Sequence, residues 1–255
     1  MAVGRSTEPG KMLMIGNSLL LAGVDLPALR DSLAPDLHLF RWMIEQTQYL
    51  DWYYGLRRLY SEGMRADFVV LLLNVTQTDS FQIRGEYFGY RMMQTRDVLD
   101  VARDARLTPT ATFSLLLGNL SAYYGFRFDT RKIALAELVP GISSLRGSLV
   151  PFGHATLDHD FAVDFAAQRL RRFADLVQQH GGHFIFVVPA SLDPIDEAYL
   201  KEAGARSGVP ILVPLTTSSV SGKDFTDGFH LNPAGAARFT TALAPMLRES
   251  AHIQR

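Results

Sequence analysis

Residues 12–18 read MLMIGNS, an unbroken apolar run that stops at glycine, asparagine and serine. Apolar runs without alternation are typical of strands that are covered on both faces, as in a parallel sheet between helices. Four more short runs, most of them continuous, follow along the chain, at residues 37–42, 67–73, 183–188 and 210–214. The chain therefore predicts a parallel sheet of five strands, beginning with residues 12–15.

Segments with helical spacing separate these runs and follow the last one. The apolar spacing predicts helices over residues 26–33, 49–62, 164–180 and 195–207. A final helix is predicted to start at Asn232 as N-cap, with Pro233 at its first position, and to run to about residue 249. This alternation indicates an open α/β sheet with helices on both faces.

One long stretch interrupts the alternation. Residues 78–163 contain no convincing buried strand but many aromatic residues, and helices are predicted over 91–106 and 108–124. Stretches of this length inside a compact domain are often lids or binding elements. We therefore expect a single domain over residues 1–255, with a helical and aromatic insertion at about 78–163 that covers the edge of the sheet.

The composition of the chain excludes several classes of site and partner. The 255 residues are 47% apolar and 20% charged, with a formal net charge of -1 and no cysteine. Disulfides, thiolate metal sites and cysteine nucleophiles are therefore excluded. No long basic stretch suggests binding to nucleic acid. The nearest candidate, Arg169 with Arg171 and Arg172, is interpreted as the solvated face of a helix.

Nothing in the sequence predicts a membrane segment. The longest apolar run, residues 68–73, is far shorter than the roughly 18 residues that a span requires. Residues 1–11 lack the apolar core of a secretion signal. The expected location is cytoplasmic for the chain as written, and periplasmic or extracellular for a chain trimmed at its N-terminus. The sequence does not indicate an oligomeric state.

Four candidate residues follow predicted strands. Ser18 comes after the first, Asn74 after the third, and Asp227 and His230 after the fifth. Ligands of such sheets bind beyond the carboxyl ends of the strands, so these side chains are expected at one edge. A serine hydroxyl needs a base, and the base needs an orienting acid. Although each feature alone is common in turns and caps, together they predict a Ser18–His230–Asp227 triad.

These blocks resemble those of the SGNH, or GDSL-type, hydrolase family. Gly16-Asn17-Ser18-Leu19 is similar to the first block of the family, Asn74 to its third-block asparagine, and Asp227-Gly228-Phe229-His230 to its last block. The resemblance implies a flavodoxin-like, three-layer α/β/α sandwich. It also implies catalytic roles for Ser18, Asp227 and His230, and an oxyanion and substrate-binding group made of Ser18, Asn74 and Asn17.

The chain departs from the family pattern at three positions. Asn17 replaces the more common aspartate, at a position that mainly shapes the turn. The second-block glycine has no counterpart after residues 37–42, since the nearest glycine is Gly55 inside a predicted helix. The third block has Leu72 and Val75 around Asn74 in place of its glycine and aspartate. An oxyanion hole that lacks one donor typically costs about 10²–10³ in rate.

The sequence thus favours a serine-dependent ester hydrolase that needs no cofactor or metal. The resemblance implies a small acyl group, such as acetyl, on a small-molecule or carbohydrate ester substrate. Two alternatives stay open: an O-acyltransferase that acts on a sugar or polysaccharide, and a non-catalytic binding module. A polar cluster of His154, Asp158, His159 and Asp160 is interpreted as a loop that leads into a helix rather than as a metal site.

Overall fold

The protein folds around a parallel sheet of five strands in the order β2-β1-β3-β4-β5. A computed structural model describes residues 10–127, 130 and 159–253. Each predicted strand is present, and only the last is much shorter than predicted. The strands are β1 (Gly10–Gly16), β2 (Leu37–Met43), β3 (Phe68–Leu72), β4 (His183–Val187) and β5 (Ile211–Leu212).

Helices connect all of these strands. Most predicted helices are present within a few residues of their predicted ends, although the helix before β4 begins five residues early. The helices are α1 (Ser18–Gly23), α2 (Leu26–Leu33), α3 (Tyr49–Ser61), α4 (Val75–Asp79), α5 (Gly85–Arg91), α6 (Val98–Asp104), α7 (Pro109–Leu120), α8 (Ala122–Gly125), α9 (His159–Gln179), α10 (Pro194–Ser207) and α11 (Pro233–Ile253).

Two apolar clusters, one on each face of the sheet, make the three layers. Along β1, Leu13 and Ile15 belong to one cluster and Met12 and Met14 to the other, as the period of two in a strand requires. The first cluster lies under α3, α9 and α10, and the second under α1, α2 and α11. The predicted α/β sandwich is therefore confirmed.

The described part of the insertion differs from its prediction. A single helix over residues 91–106 is wrong, because α5 ends at Arg91 and α6 begins only at Val98. The Asn119 amide on α7 donates hydrogen bonds to the carbonyls of Gly89 and Met93, at 2.7 and 3.0 Å. A helix over 91–106 would use the Met93 carbonyl for its own hydrogen bond, so α7 stabilises the break.

The predicted cover over the edge of the sheet stays a prediction. The described helices α5, α6 and α7 contribute Phe88, Val101 and Leu115 to the apolar cluster beside α3. Residues 128–129 and 131–158, which belong to the same predicted insertion, lie outside the described residues. Within the described part of the chain, we find no helix with the length and apolar character that crossing a bilayer requires.

The interpretation of Arg169 as part of a solvated helix face is wrong. Its side chain is buried, with 6% of the residue exposed, whereas Arg171 is exposed and Arg172 is half-buried. Arg169 lies one residue before the buried Leu170 and four before the buried Phe173, on the apolar face of α9. The helical period therefore brings it towards the sheet.

Candidate active site

Ser18 lies at the carboxyl end of β1, beside the end of β3. Gly16 pairs with Leu72 in the sheet, so the chain leaves both strands at the same edge. A Cβ atom on Gly16 would come within 2.9 Å of the Leu72 carbonyl oxygen, and only glycine allows this close approach. Ser18 is the first residue of α1, where a backbone N–H has no partner within the helix.

Asn17 fixes the turn that presents Ser18. Its side-chain oxygen accepts a hydrogen bond from the Leu19 N–H at 3.0 Å and caps α1. Its amide donates to the Thr47 carbonyl at 3.0 Å, and the residue is 1% exposed. Since both polar groups are engaged, Asn17 positions the serine. That Asn17 also binds the oxyanion or the substrate stays a prediction.

The structure brings the three predicted catalytic side chains together. His230 Nε2 lies 3.0 Å from Ser18 Oγ, and His230 Nδ1 lies 2.8 Å from Asp227 Oδ2. The other carboxylate oxygen, Oδ1, accepts the backbone N–H groups of Phe229 and His230 at 3.0 and 2.7 Å. The hydrogen bond from the His230 ring and these N–H groups hold the pKa of the Asp227 carboxyl well below its usual range.

The loop before α11 holds His230 in this orientation. Phe225 and Leu231 form an isolated antiparallel bridge, and the Thr226 N–H donates to the His230 carbonyl at 2.8 Å. Gly228 has a φ of +82°, in the left-handed region that favours glycine. Asn232 then accepts the Gly235 N–H at 3.0 Å and caps α11, as predicted.

Asn74 lies two residues past the end of β3, as Ser18 lies two residues past the end of β1. Its side-chain oxygen accepts hydrogen bonds from the Gln77 N–H and the Thr76 hydroxyl, each at 2.9 Å. These bonds leave Nδ2 without a partner among the described residues. The Ser18 N–H and Asn74 Nδ2 are therefore two donors available at neighbouring strand ends.

The loop after β2 occupies the place of the missing second-block glycine. The Ile44 N–H donates to the Gly16 carbonyl at 3.2 Å, so the loop lies beside the turn that carries Ser18. Gln46 in this loop has a φ of +61°, a conformation that glycine adopts more readily. Gly55 is inside α3, where a Cβ atom would meet Met92 and Trp42. No sequence signal marks Gln46.

A buried carboxyl group at the start of α3 supports the same loop. Asp51 accepts the Gln48 N–H at 2.8 Å and the Arg84 N–H at 2.9 Å. It therefore links the loop that contacts Asn17 to the beginning of the insertion. Burial raises the pKa of Asp51 to about 7, against the effect of these two hydrogen bonds. Gln48 and Asp51 form a capping box at the start of α3, and their spacing is the sequence signal for this carboxyl group.

The polar cluster at the start of α9 is tied together by an arginine. His159, Asp160 and Glu202 place ligand-type atoms within 4.8 Å of one another. Arg206 forms ion pairs with Asp160 at 2.9 Å and with Glu202 at 2.5 Å. His154 and Asp158 lie outside the described residues. The guanidinium thus takes the place where a cation would bind the two carboxylates.

Comparison with known proteins gives matches among solved structures. No family model matches the chain, and no curated protein sequence matches it. A member of the lipolytic protein G-D-S-L family from Veillonella parvula DSM 2008 is 9% identical, with coverage of 93% of this chain and 98% of that chain and a TM-score of 0.47. The esterase EstA from Pseudoalteromonas sp. is 12% identical, with coverage of 95% and 99% and a TM-score of 0.45.

A third structure, TesA, is 13% identical, with coverage of 94% of this chain and 98% of that chain and a TM-score of 0.45. This chain is similar to lipolytic and esterase structures. At such low identities and TM-scores, the likeness carries no conclusion about the activity of this chain. The function is therefore inferred from the geometry of the site.

Proposed function

We propose that the protein is a serine-dependent carboxylic ester hydrolase. The contact that supports this most directly is the one between His230 Nε2 and Ser18 Oγ at 3.0 Å. The other ring nitrogen, Nδ1, contacts Asp227 at 2.8 Å. In this arrangement a base can take the serine proton, and a fixed carboxylate can orient and stabilise the base. The resemblance of the sequence to SGNH hydrolases supports the same activity.

In the proposed reaction, His230 Nε2 takes the Ser18 proton while Oγ forms a bond to the ester carbonyl carbon. The Ser18 N–H and Asn74 Nδ2 stabilise the negative oxygen of the tetrahedral intermediate. The intermediate then collapses, the bond to the alcohol oxygen breaks, and His230 protonates the departing alcohol. Water attacks the acyl-enzyme by the same proton transfers and releases the acid and Ser18.

The substrate is proposed to be a small acyl ester, with acetyl as the first choice, on a carbohydrate or another hydroxylated molecule. The open position of the site supports a bulky alcohol part, since the side chain of Asp227 is 53% exposed and that of His230 is 31% exposed. The same openness would admit a sugar hydroxyl as acceptor in place of water. An acyltransferase is therefore the second candidate, and it uses the same acyl-enzyme.

The nucleophile is tested by labelling with a fluorophosphonate probe and by turnover of p-nitrophenyl acetate. Wild-type protein should label once, and Ser18→Ala should lose labelling and about 10³-fold or more of the turnover. Ser32→Ala, on the exposed face of α2, is the matched control and should keep both. Wild-type turnover by folded Ser18→Ala would disprove the proposal.

Product analysis then separates the two enzyme candidates. The wild-type protein is incubated with an acetyl ester and a sugar acceptor. Hydrolysis predicts free acetate alone, whereas transfer predicts acetylated sugar. A protein that neither labels nor turns over either substrate would instead be the non-catalytic binding module.

A further inference from the structure

A cavity of about 810 Å³ lies between α3, α9 and the end of α6. It is on the opposite face of the sheet from α1 and α11, the helices next to Ser18 and His230. Its lining includes five arginines and only two acidic residues, Asp104 and Asp175. The arginines are Arg103, Arg106, Arg169, Arg171 and Arg172. The cavity wall thus has a formal excess of positive charge.

Arg169 is a buried cation in this wall. It donates hydrogen bonds to the Thr78 and Ser80 carbonyls, at 2.6 and 2.7 Å. Within the described residues, no carboxylate oxygen lies within 4.0 Å of its guanidinium nitrogens. Burial lowers the pKa of Arg169 to about 10. Asp79 and Asp104 oppose this effect by electrostatic attraction without forming a direct ion pair with Arg169. A buried charge without a direct ion pair is costly, and a bound anion would reduce that cost.

Arg106 provides a free set of donors at the same cavity. Its guanidinium lies 3.9 Å from the centre of the Phe81 ring, and Arg169 lies 5.0 Å from the same ring. The Arg106 side chain has no hydrogen bond or ion pair with any other described residue, although its backbone N–H donates to the Arg103 carbonyl at 3.2 Å. Two guanidinium groups therefore share one aromatic ring, which orients both of them without neutralising either.

The remaining charges of the wall do not remove this excess. Arg172 is paired with Asp104 at 2.5 Å, so these two neutralise each other. The Arg103 side chain pairs with the half-buried Asp100 at 3.3 Å and is 75% exposed. Asp175 opposes the binding of an anion but is a single charge against Arg103, Arg106 and Arg169.

We propose that this cavity binds the phosphate group of a phosphorylated small molecule. Arginine guanidinium groups match the oxygens of phosphate in charge and in geometry, and phosphate carries up to two negative charges. The volume is much larger than one phosphate needs, so it leaves room for an organic part beside Tyr53 and Phe165. This site is separate from the ester-cleaving one and does not rest on the proposed function.

The test uses inorganic pyrophosphate as the probe, with isothermal titration calorimetry of the full chain at low salt. One pyrophosphate should bind per chain, and Arg106→Ala should weaken the binding about tenfold, which is the typical effect of losing one charge-assisted contact. Arg65→Ala is the matched control, because Arg65 is exposed and outside the cavity wall. It should bind as the wild type does.

Three outcomes would overturn the proposal. These are no saturable binding of pyrophosphate, equal weakening by Arg65→Ala, and equally tight binding of malonate, a dicarboxylate of similar size. Arg106 is exposed, so its replacement should leave the fold intact, and circular dichroism checks this. Binding should also persist in Ser18→Ala, which separates the fate of this site from that of the proposed esterase.

Discussion

Asp227 uses both of its carboxylate oxygens, and each has a different task. Oδ1 accepts two backbone N–H groups and so fixes the carboxylate in its loop, whereas Oδ2 contacts the imidazole of His230. The low pKa of Asp227 means that the carboxylate stays ionised throughout the neutral range. It can therefore stabilise the positive imidazolium that forms when Ser18 loses its proton.

Asp227→Asn should lower kcat for p-nitrophenyl acetate by about 10²–10⁴ while the loop keeps its shape. The amide oxygen can still accept the two backbone N–H groups, but an NH₂ group then faces the imidazole and favours the wrong tautomer. Asp31→Asn, at an exposed position of α2, is the matched control and should leave kcat unchanged. Equal kcat values for Asp227→Asn and the wild type would contradict the proposed role.

Asp51 should make stability fall as the pH rises. Its pKa is raised from 3.8 to about 7 by burial, so the folded protein holds a proton that the unfolded chain releases in this window. Stability therefore decreases with pH between these values. Asp51→Asn removes this contribution, whereas Asp79, with its pKa raised to about 6, stays in both proteins.

We expect the unfolding free energy of Asp51→Asn, relative to wild type, to rise by about 2 kcal/mol between pH 5 and pH 7. Urea denaturation at both pH values measures this. The variant should also be less stable at pH 5, since an amide satisfies only one of the two N–H groups that Asp51 accepts. A difference between the two proteins that does not change with pH would show that Asp51 does not titrate in this range.

At the residue scale, the sequence predicted the groups that belong to short local patterns. Ser18 follows a strand and His230 stands three residues from Asp227, so both were found, and their contact is present in the structure. Their catalytic roles stay predictions. Asp51 and Gln46 were missed, because their importance depends on a loop that meets Asn17 from a distant part of the chain. Gln46 leaves no mark on local spacing, whereas the spacing of Gln48 and Asp51 indicates a helix cap but not the contact with this loop.

Among the elements, the crossing of α5 and α7 depends on two glycines. A Cβ atom on Gly118 would lie 2.8 Å from Glu86 Cβ, and one on Gly89 would lie 2.8 Å from the Leu115 carbonyl oxygen. The two helices therefore approach closely only because these positions have no side chain. The contact also places Asn119 where it interrupts the helix that the sequence predicted.

Gly118→Ala should destabilise the protein by about 1–3 kcal/mol, because the added methyl group forces α7 away from α5. The change is measured as a lower urea midpoint. Gly222→Ala, where no atom lies within 4 Å of the added Cβ atom, is the control and should have little effect. A stabilised Gly118→Ala, as expected for an ordinary exposed helix position, would show that the helices have room to spare.

The elements themselves were predicted better than the way they meet. All five strands were located, because a strand buried on both faces has an apolar run that is visible in the sequence. The predicted helix over 91–106 is wrong, although its helical spacing is real, because the Asn119 amide of α7 donates to the Met93 carbonyl. Arg169 was wrongly predicted to be exposed, because the prediction followed its charge and not its position on the apolar face of α9.

On the scale of the whole molecule, the last helix, α11, lies in the same layer as the first helix, α1. α11 packs with α1 and α2, and the Asp25 N–H donates to the Thr240 hydroxyl at 2.9 Å. His230 lies three residues before the start of α11, so the docking of this helix places the proposed base beside Ser18. The site and the fold should therefore be lost together.

Leu243→Ala should test this, since Leu243 is fully buried between α11 and the sheet. The expected loss of stability is about 2–5 kcal/mol. Thr241→Ala, on the exposed side of the same helix, should change stability by less than about 0.5 kcal/mol. In urea, esterase activity and circular dichroism should decline together; activity that disappears well before the helical signal would show that the loop before α11 melts on its own.

Ser18 and His230 are separated by 212 residues in the sequence, and this separation affects the protein while it is being synthesised. A ribosome adds about 5–20 residues per second, so the imidazole is synthesised roughly 10–40 seconds after the hydroxyl. Until then, Ser18 lacks the His230 imidazole that contacts it in the folded protein. For the proposed esterase, translation thus delays the pairing of the nucleophile with its base until the sheet has been completed.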